Sequence, residues 1–123
     1  MTLRRWILPV LYAAAIFGIS SIEYIPNVGQ PEGSDKVAHF LLYYFFTASI
    51  YWALSGVTTK RKAALLAAII AAAYGATDEF HQRFVPGRTM SFYDWVADAA
   101  GACLWSALML VASRARRRAT PRD

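Results

Sequence analysis

Four apolar blocks, Trp6 to Ile22, Val37 to about Val57, Ala63 to about Phe84 and Trp95 to about Ala112, fill most of a 123-residue chain, with only short polar segments between them. About 20 residues of helix, rising 1.5 Å each, cross a hydrocarbon core of about 30 Å. The apolar residues run in blocks, not in the amphipathic repeats of a water-soluble helix, and the chain is 57% hydrophobic with 17% charged residues. In lipid each backbone N–H and C=O must be satisfied inside the protein, so blocks of this kind are helices. The expected fold is all-α: a polytopic membrane protein, one domain over 1–123, built as a bundle of four transmembrane helices. The first and fourth spans are near the short limit, which implies local thinning of the bilayer or snorkelling of flanking residues.

The charges sort by side. Arg4, Arg5, Lys60, Arg61, Lys62, Arg114, Arg116, Arg117, Arg118 and Arg122 fall on one face of a four-span topology with Asp123 as the only acid, a net of +9. Lys36, Arg83 and Arg88 share the other face with Glu23, Glu32, Asp35, Asp78, Glu79, Asp94 and Asp98, a net of −4, and the two faces together give the chain its +5. The positive-inside rule then makes both termini cytoplasmic. The basic pI needs no nucleic acid to explain it, because a juxtamembrane arginine cluster anchors topology and favours anionic lipid. Arg4-Arg5-Trp6 resembles the start of a signal peptide, with Ala13-Ala14-Ala15 as small residues for cleavage. Three further spans favour its retention as the first membrane helix.

One densely polar stretch, Asp78 to Arg88, begins inside the third block. The apolar run from Ala63 to Thr77 supplies only about 15 residues, roughly 22 Å of helix, so the helix has to continue to about Phe84. At 100° per residue Asp78, Glu79, His81, Gln82 and Arg83 fall on one side, with Phe80 and Phe84 on the other. Ionisable groups at that depth are expensive and face a bundle interior or a wet cavity.

Elsewhere the local signals are turns and helix starts. Pro26, Gly29, Pro31 and Gly33 mark a turn-rich connection, Ser34 reads as an N-cap, and Ser91 with Asp94 has capping-box spacing. Pro86-Gly87 stops the third helix. The pairs Ala71/Gly75 and Ala97/Gly101 are small-xxx-small motifs that predict close packing of spans three and four. Trp6, Tyr24, Trp52, Tyr74, Tyr93 and Trp95 fit interfacial belts. Lone Cys103 excludes an intrachain disulfide and reads as a small packing residue.

Glu79 is the leading candidate for chemistry, with His39 or His81 as its acid–base partner; an ion pair with Arg83 or Arg88 is its structural alternative. Arg88 and Lys36 suit capture of an anion, arginine through two-point contact. The candidate ligand-binding set is Lys36, His39, Glu79, Gln82, Arg88, Asp94 and Asp98. Asp98, flanked by alanines, is expected to be buried and to accept hydrogen bonds from Gln82 or a tyrosine. His39 and His81 could also bind a metal with Asp35, Glu79 or Asp98, but neither sits in a His-xxx-His or His-Glu-xx-His spacing, so no metal and no cofactor is expected.

Ser34-Asp35-Lys36-Val37-Ala38-His39-Phe40, then Asp78-Glu79-Phe80-His81-Gln82 with Pro86-Gly87-Arg88, then Asp94-Trp95-Val96-Ala97-Asp98 with Gly101, resemble the VanZ-like family of small bacterial membrane proteins. By position, His39, Glu79, Gln82, Pro86, Gly87, Arg88, Asp94 and Gly101 correspond to the recurrent motif residues of that family. Many members have Asn where this chain has Asp98. The resemblance implies a multi-pass protein of the bacterial cytoplasmic membrane and, through the name of one member, a link to teicoplanin resistance. The leading functional expectation is a non-enzymatic envelope protein among membrane lipids, binding an anionic lipid headgroup or peptidoglycan precursor in an extracytoplasmic polar pocket. Alternatives are a membrane enzyme using Glu79 with a histidine, and a small ion- or proton-coupled transporter using Asp98. The sequence does not fix an oligomeric state.

Overall fold

The structure, a computed structural model, describes residues 2–23 and 32–120. It contains four helices, α1 Thr2–Ser20, α2 Ser34–Leu54, α3 Lys60–Gln82 and α4 Phe92–Ala119, each long and apolar enough to cross a membrane. Pro26, Gly29 and Pro31 of the turn-rich connection, with Tyr24, lie within 24–31, outside the described residues, as do Arg122 and Asp123.

Each helix begins about three residues before its apolar block, because the polar residues at the edge supply the first turn. Thr59 caps α3, its side chain accepting from Lys62 N at 3.3 Å, and Ser91 caps α4 by accepting from Asp94 N at 3.3 Å. Ahead of α2 the N-cap is Gly33, one residue earlier than expected; its φ of 80° is open to a residue without Cβ. Helix α3 ends at Gln82, short of the expected Phe84. The chain tightens there into Arg83 N to Phe80 O, Phe84 N to His81 O and Val85 N to Gln82 O contacts, and then turns through Gly87 at φ 75°. Helix α4 runs seven residues beyond Ala112, because Arg116, Arg117 and Arg118 in its last turn suit a helix C-terminus.

Small residues decide the packing. The inward stripe of α3 is Ala63, Ala64, Ala67, Ala71 and Gly75, all buried, and α2 fills the facing space with Tyr43, Phe46, Ile50 and Leu54. Helix α4 packs on both α2 and α3, whereas α1 packs on α2 and α3 only. Spans three and four are therefore adjacent as expected, but Gly101 faces α2: a Cβ there would run into the carbonyl of Phe40. Gly75 does face α4, leaving room for Asp98, whose Oδ2 and Cβ would lie 3.1 and 3.2 Å from an added Cβ.

Side-chain to backbone bonds tie the helices where hydrophobic driving force is weak in lipid. Tyr74 donates to Ala13 O at 2.6 Å, Trp95 Nε1 to Ala72 O at 2.9 Å and Ser106 to Ala64 O at 2.7 Å. Tyr74 and Trp95 are thus inter-helix ties as well as candidates for an interfacial belt. Phe17, Ile69, Phe80, Phe84, Phe92 and Tyr93 are exposed on the outside of the bundle, a surface matched to lipid. Cys103 is exposed too, so it is not the packing residue expected.

Candidate functional site

The ends of α1 and α3 and the starts of α2 and α4 meet at one end of the bundle, and the polar motifs gather there. His39, in the second turn of α2, is the hub. Its Nδ1 lies 2.8 Å from Asp98 Oδ1 on α4 and 4.0 Å from Glu79 Oε1 on α3, and its Nε2 lies 3.9 Å from Asp94 Oδ2. Asp98 is fully buried and Glu79 3% exposed. Lys36, one turn before His39, donates to Asp94 Oδ1 at 3.0 Å and to Asp35 Oδ2 at 2.9 Å. A half-open cavity of about 250 Å³ is lined by Asp35, His39, Gln82, Gly87, Arg88, Thr89 and Asp94.

Glu79 does two things. Its Oε2 accepts from the backbone N–H of Ser91 at 3.0 Å, which completes the α4 cap from another helix. In a local capping box Asp94 would return that bond; here Asp94 is released to Lys36. Glu79 Oε1 has no hydrogen-bond partner among the described residues. Neither Arg83 nor Arg88 forms an ion pair with Glu79 among the described residues, so the expected local pair is replaced by a backbone tether and an imidazole neighbour.

Arg88 lines the cavity, yet it also reaches across to α1, where Nε donates to Ile22 O at 2.8 Å and Nη2 to Ile19 O at 3.2 Å. Its fork thus caps the end of α1, satisfying carbonyls that a helix C-terminus leaves open. His81 also turns to α1: Nε2 is 3.0 Å from Ser21 Oγ and the ring stacks on Phe17 at 4.5 Å. The single polar face expected of α3 is therefore split. Glu79 and Gln82 point to the cavity side, His81 to α1, and Arg83 outward.

The partner of Asp98 is His39, not Gln82 or a tyrosine. A tyrosine does meet the neighbouring acid instead, with Tyr43 Oη 3.5 Å from Asp78 Oδ2. Sequence reasoning missed Thr89 as a lining residue and the Glu79 to Ser91 link. A metal reading of His39 with Glu79 carried little weight in the sequence, which has no His-xxx-His or His-Glu-xx-His spacing, and Asp94 was not counted among its ligands. The structure draws His39, Glu79 and Asp94 from three helices.

A family model described as VanZ/LLP1 matches residues 5–113. The chain belongs to the VanZ/LLP1 family. As a VanZ/LLP1 protein with four membrane-length helices it is a multi-pass membrane protein. It is also similar to a protein of Schizosaccharomyces pombe described as uncharacterised, 33% identical over 103 residues, which is 83% of this chain. The chain spans about three-fifths, 61%, of that relative's length. Because that relative is from a yeast, membership of VanZ/LLP1 does not by itself assign a bacterial membrane. No solved structure matches the chain.

Proposed function

We propose that this VanZ/LLP1 protein is a membrane-embedded hydrolase that acts on the polar head of a lipid-borne substrate at the cluster around His39. The observation that carries this is the buried Asp98 to His39 contact at 2.8 Å. A carboxylate accepting from Nδ1–H fixes that tautomer and leaves the Nε2 lone pair to take a proton, which is how a general base is oriented. Nε2 lies on the side of Asp94 and the cavity, where water and a head group have room.

The substrate class follows from the surroundings. The cavity sits at the end of four membrane-length helices, and Phe80, Phe84, Phe92 and Tyr93 expose apolar surface beside it. A lipid could thus lay its chain along the outer face and its head in the cavity. On the positive-inside orientation this end is extracytoplasmic, and in a bacterial envelope the matching substrates are anionic lipids and lipid-linked peptidoglycan precursors. A contribution to glycopeptide resistance would be a downstream consequence of such chemistry.

Simple capture of an anionic head is the second reading, supported by Arg88 and Thr89 on the cavity wall. It ranks below hydrolysis because Arg88 is bonded to two α1 carbonyls and Lys36 to two carboxylates. Transport ranks lower still: apolar Tyr43, Phe46, Ile50, Ala67 and Ala71 fill the bundle between this cavity and the opposite end.

Purified protein in lipid nanodiscs is expected to release the head group from a polyprenyl-diphosphate-linked sugar or an anionic phospholipid at least about tenfold faster than from the matching water-soluble head group, since binding energy from the chain contributes to the transition state. Retention of either lipid without any release would favour the binding reading. Equal rates on the soluble compound would contradict a membrane-borne substrate.

A further inference from the structure

We infer that His39, Glu79 and Asp94 form a divalent-cation site at the polar end of the bundle. Each offers one ligand atom, and the three atoms lie within 4.8 Å of one another. Atoms bound to a common ion at about 2.0 to 2.2 Å are at most about 4.4 Å apart, so small side-chain adjustments close the site. Independent support comes from Glu79: its side chain is 4% exposed, its Oε1 has no hydrogen-bond partner among the described residues, and that oxygen lies 4.0 Å from His39 Nδ1, while Asp94 Oδ2 lies 3.9 Å from Nε2 of the same ring. A buried carboxylate oxygen left unsatisfied is costly. An ion at this position removes the cost.

The partners of the three residues fit the assignment. Asp98 holds His39 Nδ1 at 2.8 Å, which directs Nε2 to an ion in the carboxylate–histidine arrangement of metal sites. Lys36 occupies Asp94 Oδ1 and leaves Oδ2 for the ion. Ser91 N–H occupies Glu79 Oε2 and leaves Oε1. Glu79, Asp94 and Asp98 set against Lys36 and a neutral His39 leave at least two formal negative charges, which a divalent cation balances. One imidazole with two carboxylates suits manganese, iron, cobalt or zinc better than calcium or magnesium, which prefer all-oxygen shells.

Binding of the ion stands on these side chains alone. Its role in turnover rests on the hydrolase reading: there a bound cation would lower the pKa of its water, the resulting hydroxide would attack the head group and the proton would pass to solvent in the half-open cavity, with His39 as ligand in place of base. The cation would also give an acid-lined cavity affinity for an anionic head.

The test is a Mn2+ titration of the full chain, stripped with EDTA in detergent, followed by loss of the free-ion electron paramagnetic resonance signal. Saturable binding of one ion per chain is expected, weakened at least about tenfold in His39→Gln, Glu79→Gln and Asp94→Asn and unchanged in Arg83→Gln. Melting temperatures without metal check each variant's fold; because Glu79 also tethers Ser91, His39→Gln and Asp94→Asn decide the matter if Glu79→Gln is unstable. No saturable uptake of Mn2+ or Zn2+, or uptake unchanged in the folded variants, overturns the site. Mn2+ uptake without head-group release overturns the hydrolase reading and leaves the site standing. Release that persists in EDTA overturns the ion's part in turnover.

Discussion

Gly101→Val is expected to yield almost no folded protein in detergent, and Gly101→Ala is expected to lower stability by about 1 to 3 kcal/mol, the range for overpacking a close contact. The atom that an added Cβ meets is the backbone carbonyl of Phe40, which cannot rotate away as a side chain can. Helix α4 would have to separate from α2, and with it Asp98 from His39. Thermal unfolding of both variants beside Gly18→Ala, whose added Cβ meets nothing within 4 Å, separates this contact from a general effect of glycine replacement. A Gly101→Val protein as stable as the parent would show that α2 and α4 do not approach as described.

The second large effect is expected at Asp98, and it divides by substitution. Asp98→Ala removes the acceptor that orients His39, so turnover should fall about 100-fold or more, within the range that positioned acid–base groups contribute. Asp98→Asn keeps a carbonyl oxygen where Oδ1 now accepts from Nδ1, so it should retain activity within about tenfold. A merely structural Asp98 would instead show losses of folded yield that parallel the losses of turnover, with no rescue by Asn; comparing turnover per folded molecule in the two variants checks this.

The four spans, and the adjacency of the third and fourth, were legible because lipid allows few solutions: long apolar blocks become helices, and small-residue pairs mark close approach, although Gly101 makes its approach to α2. The cluster of His39 with Glu79, Asp94 and Asp98 was legible as a set of residues, since charges at that depth need a shared interior. Its wiring was not. Asp94 three residues after Ser91 looks like a complete local capping box, and no local pattern reveals that Glu79 supplies the return bond from another helix. Arg88 looks like a free anion ligand until the end of α1 is placed beside it. His81 and Glu79 are two apart and so about 200° apart around α3, and the stretch read as one polar face in fact serves two neighbours, α1 on one flank and the cavity side on the other.

Head-group release by His39→Gln, measured under single-turnover conditions in nanodiscs and normalised to folded protein, tests the hydrolytic site most directly. Glutamine retains a polar side chain at the junction of the three helices but has no imidazole to bind an ion or accept a proton. The expected result is a folded bundle that still retains the lipid while release falls about 100-fold or more. Release at the parent rate from a folded His39→Gln bundle would contradict the assignment of this cluster as the reactive site.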